Sequence, residues 1–404
     1  MTIEVALGAR VSSRANPKGV PMRQIRVFAM ALILLVVVAA TTAAFGQSFS
    51  VLYNFGAHPW DPLSPQVSGI IAQGRDGNFY STTPMGGSSQ NCHSCGTVFK
   101  IMPTGHLTVL YSFDGPHGAD PTGGLTLAKD GNFYGTTAGG GDFIVGTAFK
   151  ITPGGELTVL HSFSYEQGPQ APPIQGKDGN FYGTAKFGGH GLVGDVYKLT
   201  PSGKVTPLYE FHYPKEARTP IAPLMQATNG YLYGTASSGG AAAPYGEVFK
   251  VSLRGKLTPV HIFTGSDGEN AYAPVIQGRD GSFYGTTVFG GTNDNGVVFK
   301  LSPTGELTVL HKFDGNDGAN PYAGLVQATD GNFYGVASNG GSNNAGTIYR
   351  ITSSGNFKVL HNFDGAHGAN PMVTLLQSTN GLLYGDTQAG GKFGFGIFYS
   401  LKIR

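Results

Sequence analysis

The residues of this chain most able to do chemistry are two cysteines in one short segment. Cys92 and Cys95 enclose a histidine and a serine. If the protein is exported, an even pair of this kind predicts a disulfide that staples a loop. A redox site is disfavoured because no thioredoxin-like βαβ pattern surrounds the pair. A c-type haem site is disfavoured because its histidine follows the second cysteine.

Histidine recurs at one position of a repeated segment, and tyrosine stands there in other copies. The histidines are His161, His261, His311 and His361, and the tyrosines are Tyr53, Tyr111 and Tyr209. Tyrosine is a poor substitute for imidazole as a metal ligand. We therefore interpret these side chains as packing residues and predict no metal site from them.

Acidic and amide side chains recur in the pattern Phe-Asp-Gly-x-x-Gly-Ala-Asn/Asp-Pro. Three copies could offer oxygen ligands to calcium, from Asp114 with Asp120, Asp314 with Asn320, and Asp364 with Asn370. Calcium takes about six to eight oxygens, more than the few side chains of one segment supply. We favour a role in stabilising turns through the backbone, with calcium binding as the alternative.

The sequence contains neither a Gly-x-Ser-x-Gly elbow nor a His-Glu-x-x-His motif. A glycosidase needs only two carboxylates that meet in space, so acids outside the repeat pattern are the catalytic candidates. They are Asp61, Asp142, Glu166 and Glu216. We predict a protein without catalytic activity, and a polysaccharide hydrolase or lyase is the alternative.

A repeat with a period of 48 to 54 residues carries these side chains. Each copy has a Tyr-Gly or Tyr-Ser step and, six residues after the tyrosine, a glycine pair. The tyrosines are Tyr80, Tyr134, Tyr182, Tyr233, Tyr284, Tyr334 and Tyr384. Each copy predicts four short strands, which in the sixth copy are 321–328, 332–337, 347–352 and 357–363.

The strands carry apolar side chains on both faces. In one fourth strand we expect Leu307, Val309, His311 and Phe313 on one face, and Thr308, Leu310 and Lys312 on the other. A sheet that is apolar on both faces must pack between similar sheets, and the blades of a propeller do so.

The two ends of the repeat region complement each other. The last copy stops after its third strand, at residues 397–403, whereas residues 49–55 match a fourth strand without a partner. We therefore predict an all-β fold, a seven-bladed β-propeller with four antiparallel strands per blade. The N-terminal strand would join the last blade and close the ring.

Three blocks recur in order in each copy, and Asp130 to Phe163 shows the whole pattern. They run from Asp/Asn-Gly-x-Phe-Tyr-Gly-Thr-Thr to Gly-Gly, then through Gly-Thr-Val-Phe-Lys-Ile-Thr-Pro, then Leu-Thr-Val-Leu-His-x-Phe. The pattern resembles the GloVer tandem repeat of exported bacterial proteins described as choice-of-anchor tandem repeat proteins. The resemblance covers nearly all of residues 48–404 and implies an extracellular or surface-associated propeller without assigned chemistry.

Two features depart from known repeats. The resemblance implies a C-terminal surface anchor, but no such segment follows the last strand, so we expect release or periplasmic retention. The glycine pairs are also similar to those of kelch repeats. The tryptophan expected in kelch repeats is missing, since the chain has only Trp60. We expect a similar architecture in a different family.

Residues 1–46 have the composition of a secretory signal. Two arginines precede an apolar run from Val27 to Ala40, and small residues lead to a cleavage site before Gln47. Met22 would give a signal of ordinary length, and an uncleaved membrane anchor is the alternative. The mature chain would be 47–404, a single propeller in the periplasm, at the cell surface or secreted, with no membrane span.

The charge balance of the mature chain excludes one class of partner. Five of the 26 basic and one of the 24 acidic residues precede Gln47, so the formal net charge moves from +2 to −2. No basic patch remains to bind nucleic acid.

A ligand site is expected on the face of the ring that carries the second-to-third loops and the blade-to-blade loops, near the ring axis. Loop length varies on this face, and function tends to lie on loops held by a rigid scaffold. Candidate contacts are His58, Trp60, His93, Phe143, Phe187, Tyr245, Phe289 and Phe393. The predicted partner is an extracellular glycan or protein, bound by a monomer. A purely structural envelope protein is a further alternative.

A glutamine recurs near the end of the first strand in six copies. The residues are Gln73, Gln175, Gln226, Gln277, Gln327 and Gln377, and the second copy has Leu127 instead. We expect these amides to tie neighbouring blades together, with ligand binding in the channel as the alternative.

Overall fold

The structure is a computed structural model that describes residues 48–65, 70–164, 168–189, 191–212, 216–239 and 244–403. Ser48–Arg404 form one compact unit. The expected signal, with its alternative start at Met22, lies outside the described residues, and so does Glu166. Within the described ranges, no helix is long and apolar enough to cross a membrane.

Seven four-stranded antiparallel sheets form the blades of a propeller, as predicted. From blade 1 to blade 7, the first strands are Ala72–Gln73, Thr126–Leu127, Ile174–Gln175, Met225–Gln226, Ile276–Gln277, Val326–Gln327 and Leu376–Gln377. The second strands are Phe79–Thr83, Phe133–Thr136, Phe181–Ala185, Leu232–Ala236, Phe283–Thr287, Phe333–Ala337 and Leu383–Asp386. The third strands are Thr97–Ile101, Thr147–Ile151, Asp195–Leu199, Glu247–Val251, Val297–Leu301, Thr347–Ile351 and Ile397–Leu401. The fourth strands of blades 1 to 6 are Leu107–Ser112, Leu157–Ser162, Val205–Glu210, Leu257–Ile262, Leu307–Lys312 and Phe357–Asn362.

The ring is closed by the N-terminal strand. Phe49–Asn54 pairs antiparallel with Ile397–Leu401 and is the fourth strand of blade 7. This confirms the predicted closure. A small additional sheet joins Ala217–Arg218 to Ser238–Gly239 outside the repeat pattern.

The innermost strands are shorter than predicted. In blade 6 only Val326–Gln327 pairs with the second strand, although the sequence predicts a strand from residue 321. Pro321 has no N–H to donate. The N–H of Gly324 bonds the hydroxyl of Thr374 in the next blade, at 3.0 Å. The start of this segment therefore bonds sideways to a neighbouring blade and not within its own sheet.

The recurring tyrosine of the second strand joins each blade to the next. In most blades its ring stacks on an aromatic ring of the following blade, with centroids 4.1 Å apart for Tyr80 and Phe133. Tyr384 contacts Phe79 across the closure of the ring, with centroids 4.2 Å apart and the two rings tilted by 37°. The Tyr80 hydroxyl donates to Asp76 of its own tight turn at 2.8 Å. One residue type thus serves both blade packing and the hairpin turn.

The fourth strands carry a bulge that changes which face their side chains take. In blade 5, Val309 pairs with Phe299 and His311 with the preceding residue, so Leu310 is an extra residue. Val309 packs on the side of blade 4, whereas Leu310 and Phe313 pack on the side of blade 6. The expected strict alternation was therefore wrong beyond the bulge, because the inserted residue reverses the face.

The glutamines tie neighbouring blades together, as predicted. Gln175 Oε1 accepts from the backbone N–H of Lys129 in blade 2 at 2.8 Å, and its Nε2 donates to Gly179 O in its own turn. The other five glutamines make the same bond to the preceding blade. In blade 2, where Leu127 replaces the glutamine, the guanidinium of Arg75 reaches across to Lys129 O instead.

Candidate functional site

The long-loop face is the face of the ring formed by the second-to-third loops and the blade-to-blade loops. The carboxylates of the blade-to-blade loops act there as turn caps. Asp114 accepts the backbone N–H of His117 at 2.9 Å, and Asp364 accepts that of His367 at 2.7 Å. These contacts confirm the turn-stabilising role predicted for the pattern. Asn320 and Asn370, at φ 53° and 55°, occupy the left-handed region that asparagine tolerates.

Several of the tyrosines and histidines of the fourth strands form hydrogen bonds with carboxylates of the blade-to-blade loops. Tyr53 Oη donates to Asp61 at 2.6 Å, and Tyr209 Oη donates to Glu216 at 2.7 Å. Among the histidines, His261 Nε2 lies 3.0 Å from Asp267. Others also pack: the imidazole of His361 stacks on Phe49 at 3.8 Å. The predicted packing role is therefore joined by a second role, which is to fix the loop that leaves the strand. Across the part of the chain that the structure describes, no group of three His, Cys, Asp or Glu is placed to hold a metal ion.

A cleft of about 330 Å³ opens on the long-loop face at the junction of blades 7 and 1. It is called the seam cleft, and it is lined by Gly56, His58, Trp60, Asp61, Leu63, Gly86, Gly87, His93, Ser94 and Phe395. Three of the predicted contacts, His58, Trp60 and His93, meet there although they come from two loops. None of the lining residues belongs to an innermost strand. The cleft therefore lies away from the ring axis, whereas the sequence analysis expected a site near that axis.

Trp60 is the most exposed aromatic residue of the seam cleft. Its side chain is 56% exposed, and its backbone has φ 71°, in the left-handed region that non-glycine residues rarely adopt. The carbonyl of Trp60 accepts from Gly87 N at 3.1 Å, which anchors the backbone of this loop on blade 1. Backbone strain and an exposed indole at one position are typical of a binding site.

A disulfide holds the opposite wall of the seam cleft. Cys92 and Cys95 are joined in the structure, and the bridge encloses His93 and Ser94. The His93 imidazole lies near-parallel to the Trp60 indole, with ring centroids 6.2 Å apart. Ser94 Oγ accepts from Gly86 N at 2.9 Å and ties the loop to the glycine pair. The bridge therefore limits the freedom of the loop that places His93 against Trp60.

The floor of the seam cleft carries its one acidic side chain. Asp61 is buried, and its Oδ2 accepts both the Tyr53 hydroxyl and the backbone N–H of His58, at 2.9 Å. Burial, and after it Asp61, raise the pKa of Tyr53 well above its ordinary range, so this hydroxyl keeps its proton. Asp61 is thereby committed to shaping the loop. Among the residues that the structure describes, no lysine or arginine lines the cleft.

The other predicted contacts are spread around the long-loop face. Phe143, Phe187, Tyr245 and Phe393 are exposed, each on a different blade. Phe289 is only half-buried, and its backbone N–H and C=O pair with Glu269. The structure does not bring these five side chains into the seam cleft.

Two of the candidate catalytic acids lie in different parts of the ring. Asp61 lies between blades 7 and 1, whereas Glu216 lies between blades 3 and 4, where its carboxylate accepts the Tyr209 hydroxyl and the N–H of His212. Sequence reasoning missed a different acid beside Glu216. Glu247 is buried, and burial together with the charge of Glu216 raises its pKa to about 7. The sequence indicated Glu247 only by its position, because it is the first residue of a third strand, where the other blades have Thr, Val, Ile or Asp.

The chain matches the Gloeobacter/Verrucomicrobia repeat over residues 37–244 and 225–404. No curated protein matches it. Among solved structures, it is similar to the extracellular domain of a protein described as a hybrid two-component system from B. thetaiotaomicron, with TM-score 0.57 and 10% identity. That match covers 88% of this chain but 41% of the other, so the chain spans less than half of that domain.

Two further solved structures have a similar fold. One is a protein of unknown function from Dyadobacter fermentans, with TM-score 0.50 and 12% identity, covering 89% of this chain and 100% of that one. The other is described as a 6-phosphogluconolactonase from Bacteroides fragilis, with TM-score 0.50 and 17% identity, covering 76% and 87%. At such identities the likeness concerns the propeller fold alone.

Proposed function

The chain belongs to the Gloeobacter/Verrucomicrobia repeat family, and with that membership and the seam cleft as premises we propose that it is an exported binding propeller for a neutral extracellular glycan. The observation that carries the proposal is Trp60. It is the single tryptophan of the chain, it is exposed, and it stands at a strained backbone position beside a disulfide-held histidine.

The chemistry of the lining favours a neutral sugar over a charged ligand. An indole face offers a large apolar platform for the C–H groups of a sugar ring. His58, His93 and Ser94 line the same cleft and can exchange hydrogen bonds with hydroxyl groups. An anionic polysaccharide would require lysine or arginine, and neither is among the described residues that line the cleft. The cleft volume lies at the lower end of small-ligand pockets, which fits one end or a short stretch of a polymer.

A hydrolase or lyase at the same site is the weaker proposal. Such an enzyme needs two carboxylates on either side of the bond to be cleaved. Asp61 is the only acid among the described residues that line the seam cleft, and both a tyrosine hydroxyl and a backbone N–H occupy its Oδ2. Release of shortened sugars from a bound glycan would favour the enzyme, and binding without release favours the binding module.

Replacing Trp60 is expected to weaken glycan binding without unfolding the ring. For Trp60→Ala we expect at least a tenfold loss of affinity, because the stacking platform disappears and truncation of a central tryptophan anchor costs about 2 kcal/mol or more. The glycan would first be found on an array with the protein from Gln47 onward, and the affinity then measured by titration calorimetry.

Two controls make the Trp60 result interpretable. Trp60→Phe should keep part of the affinity, because it keeps an aromatic platform. Tyr231→Ala removes an exposed ring beside the turn between the first and second strands of blade 4, on the opposite face of the ring, and should leave the affinity unchanged. A wild-type protein that binds no neutral glycan on the array would contradict the proposal, and so would a Trp60→Ala variant that binds as tightly as wild type.

A further inference from the structure

One position in the second-to-third loops has a clear structural role in three blades. It lies two residues before the glycine that leads into the third strand, and it is called the tip position. Ser94, Asp294 and Asn344 occupy it in blades 1, 5 and 6, each with positive φ. Each side-chain oxygen accepts the N–H of a loop glycine, at 2.9 Å for Ser94, 2.8 Å for Asp294 and 3.1 Å for Asn344. Blade 7 has Gly394 there, at φ 83°.

Blades 2 and 3 have neither a polar residue nor glycine at the tip position, and this lowers the stability of the fold. Their tip residues are Ile144 and Leu192, with φ 65° and 56°. A left-handed backbone is strained for any side chain and most of all for β-branched isoleucine. Neither side chain can cap the loop as an asparagine does. Both are also exposed to water, 74% for Ile144 and 53% for Leu192. Since blades 5 and 6 make the loop with polar residues, folding does not require aliphatic tips.

The loops that carry the two tips also carry aromatic and charged side chains. Phe143 precedes Ile144, and Phe187 lies at the start of the loop that carries Leu192; both rings are partly exposed. Lys186 Nζ lies 5.2 Å from the centroid of the Phe187 ring. The aliphatic tips therefore share their loops with exposed aromatic rings, and a lysine lies over the Phe187 ring, whereas an exposed carboxylate, Asp142, precedes Phe143. Exposed aliphatic tips with aromatic rings and a lysine on the same loops are typical of surfaces that meet a bilayer interface.

We propose that Ile144 and Leu192 insert into a lipid surface and dock the long-loop face of blades 2 and 3 on a membrane. Both tips project from separate loops of one face of a rigid ring, so both can enter the same plane. An apolar side chain that is this exposed can leave water by entering any apolar phase, without a cavity of matching shape. The acyl region of a bilayer is such a phase. Lys186 complements anionic headgroups.

The proposal is tested by sedimentation with vesicles of phosphatidylcholine, with and without phosphatidylglycerol, using the protein from Gln47 onward. Wild type is expected to sediment with both and about fivefold more tightly with the anionic lipid, which is the contribution of one lysine near the surface. The double variant Ile144→Asn/Leu192→Asn is expected to lose at least tenfold, because two aliphatic side chains no longer leave water. Lys186→Gln should abolish only the preference for anionic lipid.

The same double variant reports on its own folding. Asparagine suits the left-handed backbone and can cap the loop as Asn344 does, so the variant should melt at a higher temperature than wild type. Leu253→Asn is the matched control, because it removes an aliphatic side chain, 36% exposed, from the opposite face and should sediment as wild type.

Three results would overturn the lipid assignment. The first is wild type that stays in the supernatant with both vesicles, and the second is a double variant that sediments as wild type does. The third is self-association in the analytical ultracentrifuge that the double variant abolishes while no vesicle binds; that result would assign the tips to contact with a second copy of the chain.

Discussion

A chain that begins at Gly56 is expected to lose its cooperative fold. The missing segment includes the fourth strand of blade 7, whose backbone pairs with Ile397–Leu401. Phe49 stacks on His361 of blade 6, and Phe55, fully buried, lies against Phe99 of blade 1. The strand therefore joins three blades, and its removal exposes the edge of a third strand that is otherwise buried.

The size of this effect follows from the apolar side chains that leave the core. Phe49, Val51, Leu52, Tyr53 and Phe55 pack into the clusters on the two sides of blade 7. At about 1.5–3 kcal/mol for the fully buried Phe55, and about half of that for each of the four partly buried side chains, the loss is roughly 5–9 kcal/mol. That is comparable with the whole stability of a typical domain, about 5–15 kcal/mol. Calorimetry and near-ultraviolet circular dichroism would show the lost transition.

Two matched chains separate ring closure from simple truncation. A chain that begins at Ser48 keeps the strand and should melt as a folded protein. A permuted chain, in which residues 48–55 follow the last strand through a short glycine turn, should recover the transition, because the strand then reaches its place as the fourth strands of other blades do. A chain from Gly56 that melts within a few degrees of wild type would show that the strand does not close the ring.

Asp386→Thr is expected to stabilise the protein, and more strongly as the pH rises. Asp386 is 1% exposed, and neither carboxylate oxygen has a hydrogen-bond partner among the described residues. Burial raises the pKa of this carboxyl to about 8. Five other blades have threonine at this position, and its hydroxyl donates to a backbone carbonyl of the next blade, as Thr184 does to Ala222 at 2.9 Å.

The direction of the pH dependence follows from proton binding. Below the unfolded pKa of about 4, both states hold the proton, and ionisation of the aspartate adds no cost to folding. Between about pH 4 and pH 8 the unfolded chain is ionised and the folded chain is not, so stability falls by about 1.4 kcal/mol per pH unit. The gain from Asp386→Thr should therefore grow across this window, reach several kcal/mol and level off near pH 8.

Denaturant unfolding of wild type and variant over this pH range gives the measurement, and the difference between them cancels the other titrating groups. Val336→Thr is the matched control, since Val336 holds the same position in blade 6. Its effect on the free energy of unfolding should not change with pH. An Asp386→Thr effect that is equally independent of pH would mean that the carboxyl is not buried in its neutral form.

The regular part of this protein could be predicted from local patterns. The spacing of Tyr80 and its six counterparts determined the number of blades, and the unmatched strand at residues 49–55 determined how the ring closes. The turn caps such as Asp114 and the bridges such as Gln175 were also readable, because each repeats in register. In a repeat protein, a contact between adjacent blades can be predicted from the sequence, because the two residue types that form it recur at a fixed spacing in each copy.

The exceptions to the repeat were decided by the tertiary structure. The seam cleft forms because loops far apart in the chain, around Trp60, His93 and Phe395, meet where the two ends of the ring join. Likewise, the burial of Asp386 and the proximity of the Glu216 and Glu247 carboxyl groups depend on which distant side chains surround each of them. Each depends on three-dimensional neighbours that occur once, and a pattern that occurs once has no period from which to be read.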